Sequence, residues 1–173
     1  NPLLFGYKIK DIQKPIVKAV KIYPLNDSSL VNGKNKPEII NTKKIKTGNY
    51  TLSKPITAFG KIGIAINAFD KMNSSRNICG VYSIESKLNN STFFNQKMER
   101  LDFSTNRYVN HHVDYYSHKL RRQNFHKTFI YGENKLPIYD KIQNNGILNI
   151  QSNSISKLKF TIKEVGLMRG LRF

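Results

Sequence analysis

The chain is 173 residues long and carries 29 Lys and Arg against 11 Asp and Glu, a formal net charge of +18. Its hydrophobic fraction of 39% suits one core-forming domain with an arm, and its single cysteine, Cys79, excludes an internal disulfide. The lysines are dispersed among Asn and Ile rather than clustered, so the charge reads as a solvated basic surface with diffuse attraction for anionic polymers, not as a selected nucleic-acid interface.

No apolar run approaches the length of a membrane span, and no signal peptide opens the chain. It starts on Asn1-Pro2-Leu3-Leu4-Phe5 without Met and reads as a piece of a longer polypeptide. Residues 1–13 are expected to be an arm from an upstream domain, because this short apolar stretch needs something to pack on.

Ile16 to Tyr23 is predicted as the first strand, closed by Pro24. Turn chemistry fills Asn26 to Glu38, with Asn32-Gly33 the strongest hairpin signal. Ile39 to Ile45 and Tyr50 to Leu52 are further strands, and Pro55 points to an edge or a strand start. Phe59 to Leu88 then reads as a strand, a polar loop and a second strand. In the first arm Ile62, Ile64, Ile66 and Ala68 share one face while Lys61 and Asn67 point the other way; in the second, Tyr82, Ile84 and Leu88 alternate with Ser83, Glu85 and Lys87. Joined through Asp70 to Gly80, the two arms are expected to be the central hairpin of the fold.

Thr92 to Met98 is the next strand; its adjacent Phe93 and Phe94 require one ring on each face, a bulge, or burial on both sides. Leu101 to Arg107 is an irregular connection, and Tyr108 to Leu120 is the best candidate for a helical segment, entered from a strand. Phe125 to Tyr131, Leu136 to Ile142 (an edge, by Pro137), Ile147 to Ile150 and Ile155 to Lys163 complete the strands, with Asn144-Asn145-Gly146 predicted as a hairpin turn. In the last strand Leu158, Phe160 and Ile162 point inward. Short strands between Asn/Gly turns indicate an all-β antiparallel sandwich over residues 14–165, immunoglobulin-like or jelly-roll, with at most one short helix and a frayed tail at 166–173.

Chemistry-bearing residues concentrate between Arg107 and His126. On a strand, His112 and Asp114 would share a face, and His126 could add a third metal ligand; the plainer account is polar residues on a hydrogen-bonded face, because no closed zinc-ligand spacing is present. No nucleophile elbow, paired-carboxylate cluster or phosphate-binding glycine loop occurs. Arg107, Tyr108, Tyr115, Tyr116, Lys119, Arg121 and Arg122 interleave aromatic and basic side chains, a pattern that stacks on sugars or bases while contacting anions. The competing account has these tyrosines covering core edges beneath Lys and Arg stems.

Three groups of residues carry a family resemblance. Gly60-Lys61-Ile62-Gly63-Ile64 with Asp70, Asn77 and Gly80-Val81-Tyr82-Ser83-Ile84-Glu85 form the first. Leu101-Asp102-Phe103-Ser104 through Arg107-Tyr108-Val109-Asn110-His111-His112-Val113-Asp114-Tyr115 form the second. Asn134-Lys135-Leu136-Pro137-Ile138-Tyr139 with Asn144-Asn145-Gly146-Ile147 form the third. Together they resemble the region that follows the catalytic domain in lysostaphin-like zinc endopeptidases of the Bacteroidetes, and Lys14-Pro15 with Ile22-Tyr23-Pro24-Leu25 looks like the join into it. Such peptidases hold zinc with a His-x-x-x-Asp pair and a His-x-His motif; here Tyr115 and Tyr116 stand four residues after His111 and His112, and no His-x-His occurs. The resemblance therefore implies a non-catalytic sandwich without catalytic or metal residues or a cofactor, in the periplasm, outer-membrane-associated or extracellular. Its implied partners are the upstream peptidase domain, an envelope protein complex, or peptidoglycan and related anionic polymers. The alternative is a polyanion- or carbohydrate-binding module. In either case the expected binding residues are Arg107, His112, Asp114, Tyr115, Arg121 and Arg122.

Overall fold

The computed structural model describes residues 13–71, 73, 77–99, 101–151 and 155–164. The strands are β1 (Ile16–Pro24), β2 (Leu30–Val31), β3 (Glu38–Lys46), β4 (Asn49–Leu52), β5 (Ala58–Lys71), β6 (Ile78–Cys79), β7 (Ser83–Leu88), β8 (Ser91–Lys97), β9 (Phe125–Lys127), β10 (Tyr139–Ile142), β11 (Leu148–Ile150) and β12 (Leu158–Lys163). Between β8 and β9 lie a single α-turn, α1 (Val109–His112), and a seven-residue helix, α2 (Tyr115–Arg121). The fold is all-β, with two antiparallel sheets packed face to face. The main path of the first runs β11-β5-β1-β3-β4, with β2, β6 and β9 also pairing to β5; the second runs β10-β8-β7-β12. Among the described residues, no helix is long and apolar enough to cross a membrane. The proposed arm, apart from Gln13, and the proposed tail lie outside the described residues.

Alternation places the core. Ile62, Ile64 and Ile66 on β5 and Val20 and Ile22 on β1 are all buried; these and Phe93, Phe94 and Ile84 of the second sheet fall into two clusters. The middle of β5 is buried on its other face as well, where Ala65 joins Ala19 and Phe125. At Asn32 and Gly33 both φ values are positive, 48° and 76°, the twist required for a two-residue turn between Val31 and Lys34.

Two expected hairpins are not hairpins. The arm leaving β5 pairs back only through β6, with Asp70 opposite Cys79 and Lys71 opposite Ile78; β7 then belongs to the other sheet, between β8 and β12. The chain crosses between sheets at Gly80 to Tyr82, burying Val81 on the way. β5 is already paired along its length, with β1 over residues 62–69 and, from its start to its end, with β2 at Ala58 and Phe59, β11 at Gly60 to Ile62, β9 at Ala65 to Asn67 and β6 at Asp70 and Lys71. The Asn144-Asn145-Gly146 turn likewise joins β10 to β11 across the two sheets. Its three successive positive φ values turn the chain sharply, and a Cβ at Gly146 would run into the Thr128 carbonyl. The Phe93–Phe94 problem is solved by a bulge: Ser86 faces Phe94 and Lys87 faces Thr92, so Phe93 has no partner and both rings enter one core.

Candidate interaction surface

The helical segment packs over the face of the first sheet that carries Ala19, Lys21, Ala65 and Asn67. Its local cause is Asp114, which takes the N-cap position of α2 and accepts a hydrogen bond from the Ser117 N–H at 3.2 Å. Arg122 ends the helix in the left-handed conformation at φ 52°, donating its N–H to the His118 carbonyl. Val113 between α1 and α2 is extended and bridges to His126. The expected strand at Tyr108 is therefore helical from its first turn, and His112 and Asp114 do not share a strand face.

Asp114 also ties the helix to the sheet. Lys21 Nζ donates to Asp114 Oδ2 at 2.5 Å and to Ser117 Oγ at 2.8 Å; Tyr23 Oη and Ser117 Oγ each donate to the same carboxylate oxygen at 2.7 Å. Burial pushes the Asp114 carboxyl up, but the hydrogen bonds from Lys21, Ser117 and Tyr23 outweigh it and hold the group well below the usual carboxylate range. Burial and this carboxylate together push the Tyr23 hydroxyl strongly up, so it stays protonated and donating. The cluster contains serine, lysine and an acid but is no nucleophilic site. A lysine that donates to the serine oxygen does not take its proton, and Ser117 is 2% exposed.

His112 is buried against three neighbours: Gln96 Nε2 and Tyr139 Oη each lie 3.4 Å from a ring nitrogen, and the His126 ring centroid is 5.6 Å away. Burial, with the charges of His126 and Lys127, brings its pKa from 6.5 down to about 3, and burial lowers His126 as well. The metal alternative finds no geometry here, because Asp114 is engaged by Lys21. Among the described residues, no three His, Cys, Asp or Glu side chains are placed to share an ion.

The six expected binding residues thus divide. His112 and Asp114 are interior, whereas Arg107, Tyr115, Arg121 and Arg122 are exposed. Along α2 only Ser117 is buried. Tyr115 is 52% exposed, Tyr116 70% and Leu120 60%, with exposed Lys119 and Arg121 on either side of Leu120, and Phe103 earlier in the same connection is 99% exposed. Arg107 stacks on the Tyr108 ring at 5.0 Å. The tyrosines of α2 therefore do not cover the core. Sequence reasoning did not count Phe103, although it lies in the second group of the resemblance, or Leu120 among the binding residues, and it missed Lys21, Tyr23 and Ser117. The only signal for these three was a lysine and a tyrosine on the face of β1 opposite Val20 and Ile22.

The chain matches no family model, no curated protein and no solved structure.

Proposed function

We propose that this chain is a non-catalytic β-sandwich interaction module of the kind that follows the catalytic domain in lysostaphin-like zinc endopeptidases of the Bacteroidetes, working at the cell envelope. One observation carries the reading: α2 presents Tyr115, Tyr116, Leu120 and Lys119 to solvent while its inner side is locked to β1 through Asp114 and Ser117. A short helix that buries one side chain and exposes two tyrosines is suited to contact something outside the fold. The resemblance supplies the context, an upstream peptidase domain or an envelope assembly in the periplasm, at the outer membrane or outside the cell. The full reading frame tests that context. A His-x-x-x-Asp and His-x-His domain upstream of Asn1 is the expected finding, and a frame without one removes the peptidase association.

The same face favours a second reading, a polyanion- or carbohydrate-binding module. Tyrosine rings beside Lys119, Arg121 and Arg107 can stack on sugar rings and attract anionic groups. Co-sedimentation with insoluble peptidoglycan over a salt series separates the two. Retention at low salt that falls as salt rises, and that is lost in Tyr115→Ala/Tyr116→Ala, supports polymer binding; no retention at low salt leaves protein docking as the role of the face.

A further inference from the structure

The two sheets do not match in width. Leu158, Phe160 and Ile162 of β12 pack on the clusters built from β1 and β5, and among the described residues no strand stands opposite β3 and β4. The place of a fifth column in the second sheet is a cleft of about 810 Å³ floored by Val20, Ile22, Ile64 and Ile66. Leu52, Leu158, Phe160 and Ile162, whose side chains face it, are only partly buried.

The edge of β12 beside this cleft is ready to pair. Asn89 N–H donates to the Lys157 carbonyl and Tyr82 N–H to the Lys163 carbonyl, so the odd-numbered residues of β12 bond toward β7. In an antiparallel ladder successive residues alternate sides, and Leu158, Phe160 and Ile162 therefore turn their N–H and C=O groups outward along the cleft. Among the described residues β12 pairs with β7 alone. A row of ladder groups over an apolar floor fits a peptide rather than a lipid chain, which has nothing to bond them. The charged residues lining the cleft, among the described residues, are Lys14, Lys54, Lys159 and Lys163; Lys54 is already paired with Glu38 at 2.5 Å, which leaves Lys14, Lys159 and Lys163 as the cations of the rim. The chain's own flanking segments carry Lys8 and Lys10, and Arg169 and Arg172, and a second copy brings another +18, so like charge opposes self-occupancy.

We propose that the cleft takes one extended strand from a partner protein, with apolar side chains at alternate positions entering the gap and acidic side chains between them facing the lysine rim, hydrogen-bonded antiparallel or parallel to β12. This binding mode stands independently of the peptidase association and of the α2 face.

The test is fluorescence anisotropy of a labelled short peptide of alternating Val and Glu titrated with the full chain at low and high salt. Saturable binding is expected, weakened by salt. It should drop at least about tenfold for the same peptide N-methylated at every second amide, and for a Ser-Glu peptide of equal charge. Ile162→Pro removes an outward N–H while sparing the groups that face β7, and a similar loss is expected. Phe160→Asp, which places a carboxylate in the cleft, serves where the proline variant fails to fold. Absence of saturation, equal binding of the N-methylated peptide, or displacement by a fatty acid that leaves methylation without effect overturns the proposal. A chain beginning at Gln13 that binds when the full chain does not, or a dimer that Phe160→Asp dissociates, also overturns it, by giving the cleft to the chain's own segment or to a second copy.

Discussion

Asp114 joins three structural roles in one side chain: it caps α2, neutralises Lys21 and accepts from Tyr23. Removing one member of a buried ion pair strands the other charge, which costs about 3–5 kcal/mol, whereas removing both can be nearly neutral. Asp114→Ala is therefore expected to lower the urea stability by about that amount, and Lys21→Met added to it to recover most of the loss. Equal destabilisation in the single and double variants would show that the capping role dominates over the ion pair. His112 makes the opposite demand, since it must stay neutral. Its pKa falls from 6.5 in the unfolded chain to about 3 in the fold, so the unfolded state binds more protons below pH 6.5. Stability present above pH 6.5 is lost as pH falls toward 3, by about 2 kcal/mol at about pH 5 from His112 alone. The Asp114 contribution is fully present above the ordinary carboxylate range and is lost only as pH falls below it, so it does not confound the change between about pH 7 and pH 5. Urea midpoints at about pH 7 and pH 5 should show the loss, and His112→Gln should flatten it; a wild-type midpoint that does not move contradicts the assignment.

The elements were legible in proportion to how local their causes are. Strand faces follow from period-two alternation, so Ile62, Ile64, Ile66, Leu158, Phe160 and Ile162 fell on the expected side. Strand partners do not follow from it. The stretch after β5 and the Asn144-Asn145-Gly146 turn have hairpin composition, yet the first pairs back to β5 only through β6 before the chain crosses at Gly80 to Tyr82, and the second passes directly from one sheet to the other. That choice is made by which edges of β5 and β8 are already occupied, and no window of sequence contains it. The helix was legible only as ambiguity, because Tyr108 to Lys119 has neither a clean 3.6-residue nor a clean two-residue period, and its stability comes from a lysine 93 positions away. The turn at Gly146 gives a test at this scale. Gly146→Ala forces a Cβ toward the Thr128 carbonyl at φ 72°, and a loss of about 1–3 kcal/mol in urea unfolding is expected. Tyr115→Ala and Tyr116→Ala, by contrast, are expected to stay within about 0.5 kcal/mol of the parent, since both rings are in solvent.

The whole molecule combines a rigid sandwich, a diffuse positive field and two features that face outward, the α2 surface and the cleft beside β12. The net charge of +18 favours attraction to anionic partners without choosing one, and in both proposals made above the choice would fall to the aromatic and ladder groups. The interior polar clusters at Asp114 and His112 hold the segment to the sheets; the exposed side of the same segment is, on the proposed reading, the part that recognises a partner. That division within the stretch from Arg107 to Arg122 is the central claim, and amide-resolved NMR titration of the full chain with soluble peptidoglycan fragments, and in parallel with an upstream peptidase domain of the kind the proposed function expects, tests it most directly. One of the two titrants is expected to shift the amides of Phe103, Arg107, Tyr115, Tyr116 and Lys119 through Arg122 and to leave those of Lys21, Gln96 and His126 in place. Shifts confined to the interior clusters, or a face at α2 that responds to neither titrant, would contradict the account.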